Sequence, residues 1–265
     1  MCFPTKKQKN NFSDISEKEK PKSQNGAKGT TKEDPATSEQ STAPQASSAT
    51  PTLPAVSTST TTALAMSPPK VAIVIYSLYG HVAKLAEAEK AGIEKAGGKV
   101  DIYQVPETLT EDILTKMHAP AKPDYPIITP DILATYDAFL FGVPTRYGNF
   151  PAQWKAFWDS TGQLWAGGKL AGKYGGFFVS TAGLGGGQEA TVIASLSTLT
   201  HHGIIYVPFG YATAFGQLTN LDEDLLGVLE PSPAATGARQ PSALELEIAT
   251  IQGESFYKTV SKVSF

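Results

Sequence analysis

The chain has 265 residues, a single cysteine and a net charge of −3. One cysteine excludes an internal disulfide framework and fits a reducing, cytoplasmic setting. The balance of charge excludes the basic patch that nucleic-acid binding requires, and no apolar run approaches the ~18 residues of a transmembrane helix.

The composition divides the chain near Met66. Residues 1–66 are Ser, Thr, Pro, Ala, Lys and Gln with a net charge of +2, whereas residues 67–265 carry −5 and hold most of the Val, Ile, Leu, Phe and Tyr. A segment like the first buries too little apolar surface to offset its ordering entropy, so residues 1–66 are expected to be a disordered extension. Its start has Lys6, Lys7 and Lys9 but no apolar core for a secretory signal. Cys2 beside those lysines admits S-acylation and weak peripheral attachment to the plasma membrane; a plain tail is the alternative. Residues 67–265 are expected to form one domain.

The domain opens with a β-branched run, Val71 to Ile75, that stops in a small polar turn and passes at once into a helical pattern through Val82, Leu85, Ala86, Ala88 and Ile93. Continuous apolar runs of this kind read as buried parallel strands. A strand feeding a tight loop and a helix N-terminus offers unpaired N–H groups and a favourable dipole to an anion. The loop has Ser77 and Gly80 but no Lys or Arg, and matches neither a P-loop nor the G-x-G-x-x-G fingerprint. It would therefore hold a phosphate by backbone and hydroxyl groups alone. An ordinary first strand of any α/β protein is the plainer reading.

Ala96-Gly97-Gly98 ends that helix, and residues 99–105 alternate as a second strand nearer an edge. Residues 110–118 form a short helix with Thr110 as its cap. A proline-rich excursion follows, and Thr129-Pro130-Asp131 opens another helical turn. Residues 136–143 make a third strand that ends in Pro144-Thr145-Arg146-Tyr147-Gly148-Asn149, before a helix from Pro151 with Trp154, Phe157 and Trp158 facing inward. Residues 173–181 make the fourth strand, ahead of a loop with four glycines, Gly183 and Gly185 to Gly187, and a helix from Gln188. So many glycines are hard to explain by packing alone. The helix ends at His201-His202-Gly203. Two adjacent histidines complement a helix C-terminus and are weak as a metal signal. Residues 204–207 make the fifth strand, residues 208–241 are irregular, and Ser242-Ala243-Leu244-Glu245 is a capping box opening a final helix to 263.

Strands alternating with helices predict an α/β fold with a doubly wound, five-stranded parallel sheet in the order 2-1-3-4-5, the flavodoxin-like arrangement. Loops at 77–82, 144–149 and 180–187 would gather at the carboxyl edge, one cradling phosphate and two bordering a flat ring. A flavin or nucleotide site is the expectation.

Four stretches carry a resemblance: Ser-Leu-Tyr-Gly-His at 77–81, Pro-Thr-Arg-Tyr-Gly-Asn at 144–149, Gly-Gly-Gly-Gln-Glu at 185–189 and His-His-Gly at 201–203. In that order and spacing, the chain from about Met66 resembles the WrbA-type NAD(P)H:quinone oxidoreductases. The resemblance implies FMN held at its phosphate by Ser77, Leu78, Tyr79, Gly80, His81 and Val82. It implies a ring lined by Thr145, Arg146, Tyr147 and Gly148 and by Ser180, Thr181, Ala182, Gly183, Gly185 and Gly186. Tyr79 and Trp165 would meet the nucleotide or quinone, and His201 would border the flavin cavity and position the acceptor. The same resemblance implies NADH or NADPH as co-substrate, ping-pong two-electron reduction of small quinones, a role in oxidative-stress defence, and a homotetramer (a dimer of dimers) whose neighbouring subunits complete the cavity. The third loop is one residue longer than the bacterial form, with Ala182 and Leu184 altered. Two other functions fit less well: a flavodoxin-like electron carrier, which would be more acidic, and a membrane-peripheral FMN-binding scaffold in which the tail is the working part.

Overall fold

A computed structural model describes residues 67–182, 186–219 and 240–265 of the chain. The tail with Cys2, Lys6, Lys7 and Lys9 therefore lies outside the described residues, as do Gly183 and Gly185 of the third loop.

Five strands, β1 (Val71–Ile75), β2 (Val100–Gln104), β3 (Ala138–Pro144), β4 (Tyr174–Ser180) and β5 (Ile205–Tyr206), form one sheet in the order β2-β1-β3-β4-β5. All four pairings are parallel, as the alternation of strands and helices predicts. Every residue of β1 is buried, because successive side chains feed two separate cores. Ala72, Val74 and Tyr76 enter one with Phe141, Trp154, Phe157 and Trp158. Val71, Ile73 and Ile75 enter the other with Leu85, Ile93, Phe256 and Val260. Period-two alternation between two apolar faces produces the unbroken hydrophobic run seen in the sequence.

Helices α1 (His81–Lys95) and α8 (Ala243–Val260) cover one face, while α4 (Ala152–Ser160), α5 (Gly162–Ala166) and α6 (Gln188–His202) cover the other. Between β2 and β3 the chain makes two short helices, α2 (Glu111–Lys116) and α3 (Pro130–Ala134); α7 (Phe215–Leu218) follows β5. The α1–α8 contact is close because neither helix has a side chain where they cross. A Cβ on Gly92 would stand 2.0 Å from the Thr250 carbonyl oxygen, and one on Gly253 would stand 2.1 Å from that of Glu89.

Several boundaries differ from the sequence reading. The last helix stops at Val260 rather than 263, although its capping box is present as expected, with Ser242 and Glu245 bonding reciprocally. Thr110 takes the N-cap of α2 but its side chain makes no capping bond; Thr129 does cap α3, accepting from the Ile132 N–H at 3.2 Å. The helix after Pro151 divides at Thr161, whose hydroxyl bonds to the Trp158 carbonyl oxygen and closes the turn. Strand β5 has two paired residues instead of four, since the chain meets Pro208 and leaves the ladder after Val207. Within α1 the buried position is Glu89, not the half-buried Ala88. Among the described residues no helix is long and apolar enough to cross a membrane.

Candidate cofactor site at the carboxyl edge

Because every strand points the same way, the segments after β1, β3 and β4 emerge together at the carboxyl edge. The first is 77–82. Ser77, Leu78 and Val82 are buried, and Gly80 has φ +86°, the left-handed region that only glycine enters without penalty. The left-handed turn curls the backbone around the start of α1. Ser77 Oγ accepts the Ala83 N–H at 3.3 Å, which leaves the hydroxyl proton available as a donor. Among the described residues, no hydrogen bond engages the N–H groups of Ser77, Leu78, Tyr79, Gly80 or Val82. The first turn of α1 has no acidic residue. These are the donor set and the sign of potential that a phosphate group requires.

The second segment begins at the end of β3. Thr145 N–H donates to the Ser180 carbonyl at 2.8 Å, and Arg146 and Asn149 exchange backbone bonds in a tight turn. Tyr147 stands at its tip with φ +56° and a fully exposed ring. Thr145 Oγ1 accepts the Gly148 N–H at 3.2 Å and lies 2.6 Å from Thr191 Oγ1. Thr191 belongs to α6 and also bonds the Gly187 carbonyl at 2.8 Å. These threonines join the second segment to the third. Thr181 is buried and accepts from Gln188 Nε2 at 2.9 Å, while Ala182 and Gly186 are exposed. Arg146 keeps its guanidinium at the surface, with Nη1 donating to the Thr145 carbonyl at 2.9 Å. An exposed cation and an exposed aromatic ring beside a phosphate cradle suit a flat, anionic, phosphorylated cofactor.

The two remaining expected residues are elsewhere. Helix α6 runs back along the sheet for 15 residues, about 22 Å at 1.5 Å per residue, and so delivers His201 to the opposite edge. There the Gly172 N–H donates to the Gly203 carbonyl at 2.9 Å, just before β4 begins. Trp165, on α5, lies beside the same region. Both are exposed, Trp165 by 59 %. Within one protomer, His201 and Trp165 do not border the described residues of the three loops. His202, by contrast, is buried against Trp158 at 5.5 Å between ring centroids, with Nε2 2.9 Å from Thr161 Oγ1. Burial, reinforced by the charge of His201, lowers its pKa. His202 packs the helix end and His201 does not.

No local pattern in the sequence marks Glu107, in the turn beyond β2. Its carboxylate takes hydrogen bonds from Tyr76, Gln153 and two backbone amides and pairs with Lys122. Burial pushes its pKa up, but the bonds from Lys122, Leu109, Gln153 and Thr108 outweigh that and hold it at about 2.

Residues 69–217 match the family described as NADPH-dependent FMN reductase. The chain is 65 % identical over 199 residues to NAD(P)H quinone oxidoreductase PST3 of Candida albicans, covering 73 % of this chain and 99 % of that protein. The chain belongs to this family of flavin-dependent reductases. It is also 62 % identical to Protoplast secreted protein 2 of Saccharomyces cerevisiae, across 73 % of this chain and 99 % of that one. A third relative, the P25 protein of Schizosaccharomyces pombe, is 59 % identical over 72 % of this chain and 96 % of its own length. The similarity thus spans the domain and nearly the whole of each relative. The carboxyl-edge donors fit the family's cofactor: unengaged amides and a serine for the phosphate, then an arginine, a tyrosine and threonines for the ring system.

Proposed function

We propose that the protein is an FMN-dependent NAD(P)H:quinone oxidoreductase. The observation that carries this reading is the set of N–H groups, those of Ser77, Leu78, Tyr79, Gly80 and Val82, that are unengaged among the described residues around left-handed Gly80. High identity to relatives named as quinone oxidoreductases supports the choice of acceptor.

When bound, FMN supplies the redox chemistry, taking a hydride from NAD(P)H and delivering two electrons to a quinone. The chain binds and orients. Ser77, Leu78, Tyr79, Gly80, His81 and Val82 hold the phosphate, with neutral donors and the α1 dipole offsetting its charge. Thr145, Arg146, Tyr147 and Gly148, with Ser180, Thr181, Ala182 and Gly186, border the ring. The cationic Arg146 guanidinium would favour negative charge on the ring. The exposed Tyr147 and half-buried Tyr79 offer aromatic faces to a stacking nucleotide or quinone. The two substrates would share one face and enter in turn, which is ping-pong kinetics. Defence against quinone toxicity is the role this chemistry suits.

His201 and Trp165 serve the site only across a subunit boundary. Their exposure at the amino edge of one protomer is consistent with supply to a neighbouring copy in a homotetramer, where His201 would donate a hydrogen bond to the quinone oxygen. The test is turnover of the purified full chain with added FMN, with NADH or NADPH and with benzoquinone. Parallel double-reciprocal lines are the expected pattern. Absence of quinone-dependent nucleotide oxidation with either nucleotide contradicts the proposal.

A further inference from the structure

Five donors converge on one carboxylate beneath the site. Glu107 receives the Tyr76 hydroxyl at 3.0 Å, Gln153 Nε2 at 2.9 Å and the amides of Thr108 and Leu109 at 2.9 and 3.1 Å. The fifth is Lys122, whose ammonium also sits 4.8 Å from the centroid of the Tyr76 ring. The cluster is sheltered: side-chain exposure is 18 % for Glu107 and 23 % for Lys122, and Tyr76 and Gln153 are buried.

The chain positions of these partners matter more than their number. Tyr76 is the residue immediately before the 77–82 loop. Gln153 lies in the first turn of α4, immediately beyond the 144–149 turn. The two segments that flank the candidate site are therefore tied at their bases to the same group. The Gly142 carbonyl adds to this, accepting the Tyr76 N–H at 3.2 Å and Trp154 Nε1 at 3.1 Å. None of the unengaged amides of the cradle is consumed by the junction.

We infer that Glu107 is a positioning residue that sets the spacing between the phosphate loop at 77–82 and the ring loop at 145–149 before cofactor arrives. The inference rests on the reading of those loops as the FMN site. A carboxylate is suited to the task because it is acceptor-only, with about four lone-pair sites for converging donors. Glutamine has the same shape but turns an NH2 group toward the donors, so one side of the junction opens. Pre-set loops lower the ordering cost of binding, and losing them weakens binding without touching a ligand contact.

The experiment compares cofactor-free full-length wild type, Glu107→Gln and Tyr76→Phe in two readouts: FMN titration by flavin fluorescence, and amide hydrogen exchange without FMN. The expected result for Glu107→Gln is a rise of about tenfold or more in FMN Kd, equivalent to roughly 1.4 kcal/mol. Exchange should be faster at the bonded amides that bracket the first loop, Tyr76, Ala83 and Lys84, and at Thr145, Arg146, Gly148 and Asn149 of the second, with the rest of β3 and α8 unchanged. Tyr76→Phe should move both readouts in the same direction by less. A Kd within twofold of wild type, or faster exchange everywhere rather than in the two loops, overturns the inference. So does recovery of wild-type affinity in Glu107→Gln/Lys122→Met, since Glu107 would then merely neutralise Lys122. If Glu107→Gln does not fold, Tyr76→Phe combined with Gln153→Leu takes its place, with the same supporting and overturning results in both readouts. Failure of wild type to take up FMN would overturn the cofactor reading, while the exchange data would still decide whether Glu107 couples the loops.

Discussion

Gln153 donates from Nε2 to Oε1 of Glu107 at 2.9 Å, joining the start of α4 to the turn beyond β2 across 46 residues of sequence. The bond is one of several that hold the Glu107 carboxylate ionised, with a pKa of about 2. A carboxyl group whose folded pKa is depressed stabilises the protein above its unfolded pKa, ~4.3, and that contribution disappears as pH falls through the folded value. Urea unfolding of wild type and Glu107→Gln should thus differ most at neutral pH, by about 1.5–3 kcal/mol for bonds to a charged group. The difference should narrow between about pH 4.3 and pH 2. A gap independent of pH would show that the charge of Glu107 is not what stabilises the junction.

Glu89 has the opposite sign. It is fully buried on α1, among the described residues neither carboxylate oxygen is hydrogen-bonded, and burial raises its pKa well above the usual range. The folded state favours the protonated form, so Glu89 costs stability as pH rises above ~4.3, where the unfolded chain ionises. Glu89→Leu should stabilise the domain by about 1–3 kcal/mol at pH 7–8, the penalty of an unsatisfied buried group, and by less near pH 4. Denaturant midpoints at the two pH values check this. A destabilised Glu89→Leu at neutral pH would mean that the carboxylate has a stabilising role.

The crossing of α1 and α8 leaves no room at Gly253, where a Cβ would lie 2.1 Å from the Glu89 carbonyl oxygen. Backbone cannot give way as a flexible side chain can, so Gly253→Ala must push the helices apart. Overpacking of this kind costs about 1–3 kcal/mol or more, read as a lowered thermal midpoint. FMN affinity should change less than stability, because Gly253 meets α1 at Glu89, seven residues beyond Val82 of the first loop.

Gly80 is the reverse case. Among the described residues nothing lies within 4 Å of a Cβ built there, yet φ is +86°. Gly80→Ala adds only that Cβ and so pays mainly for the left-handed backbone, roughly 1–2 kcal/mol. If the loop relaxes instead, the amides of the cradle turn away. The expected outcome is FMN binding at least about tenfold weaker with a small stability loss, measured by flavin fluorescence and thermal melting of the same preparation.

The sheet was legible because β1, β3 and β4 are apolar runs ended by loops of polar and small residues and β2 alternates as an edge strand does, and parallel topology follows from alternation with helices. The three loops were legible for the same reason: Gly80, Arg146-Tyr147 and the glycines after Thr181 stand where strands end. The Glu107 junction was not. Its side-chain partners Tyr76, Lys122 and Gln153 lie 31, 15 and 46 residues away, so no local spacing connects them, and a glutamate after a proline in a turn reads as solvated. Glu89 could have been anticipated, since it lies seven residues after Val82 and four before Ile93, on the apolar stripe of α1. The resemblance named His201 and Trp165 as site residues, but α6 and α5 carry them to the far edge of the protomer, and chain order alone does not reveal that separation.

The proposed role of the carboxyl edge is to hold FMN and pass electrons from nicotinamide nucleotide to quinone. The most direct measurement is the visible absorbance spectrum of the purified full chain, supplied with FMN, before and after anaerobic addition of NADPH or NADH and then benzoquinone. The expected result is bound-flavin bands that bleach with nucleotide and return with quinone. A colourless protein that takes up no FMN, or bound flavin that neither nucleotide reduces, would contradict it.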